Sequence, residues 1–372
     1  MHDLIVFGED FGGLPSSTQH LVSRLADSRK VVWVNSIGLR QPKLSFGDAK
    51  RAAYKLMGKS KAHYQPMAKA NDNPNITIVN LKTIPAPASN FACSLAKKWM
   101  LSQLLPIIEQ QQLQSPILWS SLPTAADLCG ELNEAAVVYY CGDDFESLAG
   151  VDHHTVRSHE KKLVEKADLI FAASSNIKTK FPAQKTELLP HGVDVELFAT
   201  PAPRAHDLPN GDRPIAGFYG SLSEWLDYDL VRELTAKMTD WDFVFIGPNE
   251  KNQLQLPKTD NLFYLGAKPH HLLPQYSQHW NVSLLPFKHN SQIEACSPLK
   301  LMEYLAANRP IVTTDFPALA PYKDHVQVAN SAELMEQAIR QVQNDTPNTR
   351  PLVGQDSWDK RSEFVDRMLE LL

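Results

Sequence analysis

The sequence predicts an α/β fold in two Rossmann-like halves, each built on a parallel sheet, with an amphipathic helix at the C-terminus. Three observations carry this. Short β-branched runs alternate with helical runs along most of the chain, as β-α units do. The alternation breaks at a proline-bearing stretch, residues 199–212, and then restarts. A chain of 372 residues is also too long for one ordinary core and suits two.

In the first half the strands fall at Leu4–Gly8, Val31–Asn35, Ile76–Asn80, Ile117–Ser120, Val137–Cys141 and Leu169–Ala173, with a last one at Leu188–Pro190. Helices fall at about Pro15–Ala26, Asn90–Gln112 and Thr155–Lys166. Runs such as Ala136-Val137-Val138-Tyr139-Tyr140 are apolar at every position, which suits strands buried on both faces. Phe198-Ala199-Thr200-Pro201-Ala202-Pro203 opens a linker whose prolines make it semi-stiff. The second half has strands at Ile215–Gly220, Phe243–Gly247, Asn261–Gly266, Trp280–Phe287 and Ile311–Thr314, with a helix at Tyr228–Met238. The expected division is 1–198, a linker 199–212, 213–350, and a closing segment 351–372 whose helix begins near Ser357.

Composition narrows the function. The net charge is -5 and 43% of residues are hydrophobic, so the basic excess of a general nucleic-acid binder is absent. Met1-His2-Asp3-Leu4-Ile5-Val6-Phe7-Gly8 lacks the basic start and long apolar run of a signal peptide and reads as a first strand. No apolar run is long enough to span a bilayer, and a cytoplasmic chain is expected. Cys93, Cys129, Cys141 and Cys296 are scattered, form no CxxC pair, and read as reduced thiols.

The most informative stretch is Ser297-Pro298-Leu299-Lys300-Leu301-Met302-Glu303-Tyr304-Leu305-Ala306-Ala307-Asn308-Arg309-Pro310-Ile311-Val312. Ser297 suits an N-cap and Pro298 the first helical position. Asn308 can close the helix in a left-handed turn, and Pro310 blocks its continuation. The helix start offers unpaired N–H groups and a positive dipole end, which suit a phosphate. Lys300 in the first turn works against that dipole unless it meets an anion. Glu303, three residues on and on the same face, can accept two hydroxyl hydrogen bonds, as a ribose needs.

This stretch resembles the donor-nucleotide run "S/P-x-K-x-x-E-x-x-A-x-G-x-P-V-V" of the retaining glycosyltransferases of family 4. The resemblance implies the GT-B fold: two Rossmann-like domains facing a cleft, with the last helix crossing back onto the first domain. It implies a nucleoside diphosphate sugar as co-substrate, no other cofactor and no metal. Glu303 would bind the ribose, while Ser297, Pro298, Leu299 and Lys300 would hold the diphosphate. The second family glutamate falls at Ala295 here, with Glu294 one place off.

Other motifs take their roles from the same resemblance. Gly220 and Ser221 end a strand, and Trp225 and Asp227 follow in a "G-x-x-x-x-W-x-D" run similar to that of bacterial surface-polysaccharide transferases. All four are candidates for donor contact, with Trp225 as a core residue the competing reading. Gly266 and Lys268 lie where the nucleobase sits in GT-B proteins. The loop Gly8-Glu9-Asp10-Phe11-Gly12-Gly13-Leu14-Pro15 is not GxGxxG, and places Gly12 and Gly13 on the acceptor side. Asp143 and Asp144 follow a strand and join Lys300 as candidate catalytic residues, as partners of an acceptor hydroxyl or as loop caps. Pro190-His191-Gly192-Val193-Asp194 with Phe198 resembles a family run ahead of the linker, putting His191 on the acceptor side or in an interdomain turn.

Two features stand apart. His153, His154 and His159 lack a recognised ligand spacing and read as a polar helix start rather than a metal site. Residues 40–69 hold Lys43, Lys50, Arg51, Lys55, Lys59 and Lys61 against Asp48, with Tyr54, Leu56, Met57 and Tyr64 interleaved. Such an insertion suits peripheral contact with an anionic membrane, or is a solvated loop. The expected activity is hexose transfer to a glycan or lipid-linked acceptor in surface polysaccharide assembly. Its rivals are a catalytically silent scaffold subunit of the same fold and a sugar-nucleotide 2-epimerase.

Overall fold

The computed structural model describes residues 1–13, 16–37, 73–84, 87, 89–145, 153–250, 253–297 and 299–372. The basic insertion at 40–69 lies outside these residues, as do Leu14, Pro15 and Pro298. The chain forms two compact units, Met1–Pro190 with Asp359–Leu372, and His191–Trp358.

The first unit carries a seven-stranded parallel sheet of β1 (Leu4–Phe7), β2 (Val31–Val34), β3 (Ile76–Val79), β4 (Ile117–Ser120), β5 (Ala136–Cys141), β6 (Leu169–Ala172) and β7 (Thr186–Leu188). Its order is β3-β2-β1-β4-β5-β6-β7. Every residue of β1, β2, β4, β5 and β6 is buried, as expected of strands covered on both faces. Helices α1 (Ser17–Leu25), α2 (Asn90–Gln111) and α3 (His153–Lys166) connect them. Ser16 and Ser89 cap the first two by accepting from Gln19 and Ala92 N–H.

The second unit holds a six-stranded parallel sheet of β8 (Ile215–Tyr219), β9 (Asp242–Ile246), β10 (Leu262–Tyr264), β11 (Val282–Leu285), β12 (Ile311–Thr313) and β13 (Gln327–Val328). Its order is β10-β9-β8-β11-β12-β13. The longer helices are α4 (Tyr228–Lys237), α5 (Leu299–Ala307) and α6 (Ala332–Val342). Trp280 anchors the core. It is 1% exposed, its ring lies 5.9 Å from both Tyr219 and Tyr304, and its N–H donates to Ser283 Oγ at 2.9 Å.

The closing helix α7 (Trp358–Leu369) starts in the second unit and runs in the first. Val365 and Leu369 are fully buried, and Phe364 meets Phe171 edge-on at 6.2 Å. Arg29, buried at the end of the loop before β2, donates to Asp366, to Glu370 at 3.0 Å and to the His2 carbonyl at 2.7 Å.

The two-half α/β architecture is therefore the one the sequence implies, but the division differs from 1–198 and 213–350. The second unit begins at His191, and residues 199–212 pack on it rather than spanning free. Phe198 is fully buried and stacks on Tyr219 at 6.4 Å. Gln278 donates to the carbonyls of Phe198 and Thr200, both at 2.8 Å, and accepts from Ala202 N–H at 2.9 Å. Lys268 and Tyr276 both grip Asp207, at 2.5 and 2.8 Å. Buried polar partners of this kind are costly to leave unmade, so they fix the segment despite its prolines.

Candidate functional site

In open parallel sheets, ligands gather outside the carboxyl ends of the strands where the strand order reverses. In the second unit that point lies between β8 and β11. Gly220 ends β8 with φ +143, and Gly247 ends β9 with the same value. Side chains rarely adopt that region. Space gives a second reason. A Cβ on Gly247 would stand 1.9 Å from the Gly220 carbonyl oxygen, and a Cβ on Gly220 would stand 1.9 Å from Lys300 Cε. The Gly220 N–H donates to the Ile246 carbonyl at 2.8 Å and the Gly247 N–H to that of Gly266, also at 2.8 Å. Gly266, with φ +67, opens onto free space. The ends of β8, β9 and β10 are thereby tied together.

Helix α5 delivers Lys300 to this edge. The helix is keyed to β8 by Tyr304, whose buried hydroxyl accepts the Tyr219 N–H at 3.0 Å. It ends at Asn308, with φ 60, whose side chain accepts from Thr349 N–H at 2.8 Å. The stem of Lys300 lies on Gly220, and its ammonium stands over the Trp225 ring, 5.2 Å from the centroid. Trp225 is held edge-on by Phe287 at 5.2 Å and Phe218 at 6.2 Å. Gly220, Trp225 and Lys300, far apart in sequence, thus meet. Ser221 follows Gly220, half-buried, while Ser297 and Leu299 flank Pro298 and are also half-buried.

Two expected donor residues have other work. Asp227 caps α4 by accepting the Leu230 N–H at 3.0 Å, and its own N–H donates to the Pro286 carbonyl at 2.9 Å. Lys268 is committed to Asp207, with Tyr276 beneath it at 5.8 Å. Both side chains thus hold local structure in place.

Glu303 is 3% exposed, and its Oε1 lies 2.6 Å from His270 Nε2. The sequence reading missed His270; its signal was the Pro269-His270-His271 run directly after the Gly266 loop. Phe198 meets the His270 ring edge-on at 5.5 Å. Burial works against the cationic imidazole, but the charge and hydrogen bond of Glu303, with the charge of Asp194, overcome it and raise the His270 pKa. Burial first, then Glu303, also push the Tyr219 hydroxyl far up. A histidine whose pKa rises on folding adds stability that is complete below its unfolded value, ~6.5. That stability is lost as pH climbs through the folded value. Urea unfolding of wild type and His270→Gln should therefore differ most near pH 6 and least near pH 9. A constant difference would detach the pair from stability.

The remaining candidates lie elsewhere. In the first unit, the loop after β1 is an internally bonded turn. Gly12 N–H donates to Gln19 Oε1 and Gly13 N–H to the Asp10 carbonyl, both at 3.0 Å, and Asp10 accepts from Ser36 Oγ at 2.7 Å. Asp144 pairs with Lys180 at 2.5 Å. Asp143 is exposed, and its charge reaches Glu9, another residue the sequence reading passed over. Burial first, then Asp143 and Asp10, raise the Glu9 carboxyl, though its exposed surface lets water screen part of that push. His191 falls in the second unit, next to Gly192, which is packed against the Trp358 ring.

Comparison with known proteins bears on the fold. Residues 213–345 match the family described as Glycosyl transferases group 1. A Bacillus subtilis (strain 168) protein named as a teichuronic acid biosynthesis glycosyltransferase, TuaH, is 26% identical over 221 residues. The match takes in 54% of this chain and 56% of that one, so it spans about half the length of that relative. A sucrose-phosphate synthase of Thermosynechococcus elongatus superposes with a TM-score of 0.68 at 13% identity, covering 100% of this chain and 99% of that one. A glycosyltransferase of Rickettsia africae ESF-5 gives 0.65 at 12% identity, covering 99% and 97%. A trehalose-6-phosphate structure from E. coli, bound with UDP-2-fluoro glucose, gives 0.64 at 14% identity, covering 100% and 99%. The chain has the GT-B fold, and its second unit is related to the group 1 glycosyl transferases.

Proposed function

We propose that this protein is a glycosyltransferase that moves a hexose from a nucleoside diphosphate sugar to a glycan or lipid-linked acceptor, with retention, in surface polysaccharide assembly. One observation supports this most. Lys300 is held by Gly220 and Trp225 at the carboxyl edge of β8 and in the first turn of α5. A cation there opposes the helix dipole and is best compensated by an anion. The diphosphate is that anion. Lys300 and the first N–H groups of α5 hold it and stabilise the charge that grows as the glycosyl bond breaks. The ribose meets Glu303, which shares its carboxylate between His270 and the sugar hydroxyls. Gly266 leaves room for the base. No general base is assigned. Asp143, after β5, is retained as a partner for an acceptor hydroxyl, and Gly12 and Gly13, after β1, as further acceptor-side residues at the carboxyl edge of the first sheet.

Titration with UDP and GDP, followed by a donor-hydrolysis assay, tests the reading. UDP is a fair first probe, because a fold relative was solved with a UDP sugar. Glu303→Ala should weaken the nucleotide that binds by about 1–3 kcal/mol, the range for a charged hydrogen-bond partner. The affinity should be the same in EDTA as in Mg²⁺, because Lys300 and the helix start supply the neutralising charge. Equal affinity in wild type and Glu303→Ala would remove the ribose assignment. Binding without turnover would favour the silent scaffold, and conversion of the donor sugar without release would favour the epimerase.

The basic insertion at 40–69 gives a separate expectation. Each cation near an anionic bilayer is worth ~1 kcal/mol, and salt screens it. The protein should co-sediment with anionic vesicles at low salt and be released as salt rises. Joint neutralisation of Lys50, Arg51, Lys55 and Lys59 should abolish this while nucleotide affinity stays unchanged. Failure to co-sediment at low salt would end the membrane reading.

A further inference from the structure

A second constellation lies in the first unit, whereas the donor residues named above belong to the second. Cys93 stands in the second turn of α2, Asp127 just after the short helix Pro123–Ala125, and His159 on the buried face of α3. Their ligating atoms all lie within 4.8 Å of one another. His153 and His154, at the start of the same helix, are exposed, so the histidine run divides between two faces. Spacing along one helix could not have revealed this group, because its three members come from three elements.

Two unpartnered polar atoms face this place. His159 is 5% exposed, and its Nδ1 has no hydrogen-bond partner among the described residues. It stands 3.9 Å from Asp127 Oδ2, too far for a hydrogen bond. Thr124 Oγ1 is likewise buried and unpartnered. Thr124, Asp127 and His159 line one cavity with about 10 Å³ of room, roughly the space of a single water-sized sphere. Leaving buried polar atoms unsatisfied carries a desolvation cost. Something that bonds to both would recover that.

The groups that would orient these ligands are also in place. With Nδ1 unpartnered, the hydrogen bond between the His159 ring and the Pro87 carbonyl falls to Nε2. That fixes the tautomer whose Nδ1 carries the lone pair, the usual arrangement behind a metal-bound histidine. Cys93 Sγ points to the same Pro87 carbonyl at 3.3 Å. Asp127 Oδ1 takes Lys162 at 3.0 Å, leaving Oδ2 on the His159 side. Lys162 is 42% exposed and can withdraw into water.

We propose that Cys93 Sγ, Asp127 Oδ2 and His159 Nδ1 bind a zinc ion that pins α2 and α3 to the segment after β4. The donor set of one sulfur, one imidazole and one carboxylate suits zinc. Tetrahedral ligands at ~2.0–2.3 Å from zinc stand ~3.5 Å apart, so a closure of roughly an ångström completes the site. Cys93 gives up its thiol proton to solvent as the sulfur–metal bond forms. The cavity admits one water as the fourth ligand, with Thr124 Oγ1 as its hydrogen-bond partner. The ion is structural. It belongs to the first unit, whereas the residues assigned to the diphosphate and ribose are in the second, so nucleotide affinity stays independent of metal.

Cobalt(II) titration of the full chain, after treatment with a chelator, reads this directly. Wild type should take up one equivalent with a thiolate-to-cobalt charge-transfer band in the near ultraviolet and intense visible bands of tetrahedral form. Zinc should displace it. Cys93→Ser should remove the charge-transfer band, and Cys296→Ser should leave it. His159→Gln should weaken zinc by more than about 100-fold, since even outer-shell partners cost up to that. Absence of saturable cobalt uptake by wild type would overturn the proposal whether or not the variants fold. So would a band that survives Cys93→Ser or disappears in Cys296→Ser.

Discussion

Lys300→Ala is expected to lower kcat for donor hydrolysis and for transfer by about 10²–10³, the range for removing one group that stabilises developing charge. The KM for the donor should rise much less. The diphosphate is already bound in the ground state, but its charge grows only as the glycosyl bond opens. An ammonium fixed at that point contributes most in the transition state. The fixing is visible in the structure. Gly220 leaves a slot for the Lys300 stem, and Trp225 stands under its head at 5.2 Å. Steady-state kinetics with saturating acceptor separate the two parameters. A change in KM alone would show that Lys300 assists binding only. Lys300→Arg should not restore the rate, because the slot over Gly220 is filled by the methylenes of a lysine, and a guanidinium places its charge differently.

Trp280→Ala should destabilise the second unit by about 3–5 kcal/mol, the cost of emptying a large buried aromatic site. Tyr219 and Tyr304 both rest on this ring. A Cβ on Gly217 would come within 1.7 Å of it, so β8 approaches the ring as closely as a backbone can. None of these neighbours can collapse into the space without breaking the Tyr304 bond to the Tyr219 N–H. That bond seats α5, and with it Glu303 and Lys300. Nucleotide affinity should fall together with stability, although Trp280 is not itself placed in contact with ligand. Urea unfolding followed by tryptophan fluorescence, and nucleotide titration below the transition, measure both. A loss under 1 kcal/mol would mean that the aromatic cluster repacks freely.

Most of the strand framework was legible because burial on both faces writes itself as continuous apolar runs. Ile117–Ser120 is one such run, and observed and expected bounds coincide there. The C-terminal end of α5 was legible too, since Asn308 and Pro310 act through local backbone geometry. Long-range polar partnerships were not. Glu303 finds His270 33 residues earlier, and Gln278 finds Thr200 78 residues earlier. No periodicity encodes such pairs. For the same reason the structural partners of Asp227 and Lys268 left no mark in the sequence. An acid two residues after a tryptophan reads alike whether it meets a sugar or caps a helix. Gly220 and Lys300 were each legible as residues, but not the slot that one leaves for the other.

The packing of residues 191–208 decides where the nucleotide-binding half can be cut. The family match begins at 213, which invites excision at that residue. A fragment starting there would leave the buried side-chain amide of Gln278 without the Phe198 and Thr200 carbonyls, strip Phe198 from Tyr219 and His270, and deprive Lys268 of Asp207. It would expose apolar surface beside the very carboxylate assigned to the ribose. The compact unit runs from His191 to Trp358. Twenty-two residues of apparent leader are part of its floor, and a segment read as a tether is instead a strap buckled to one side.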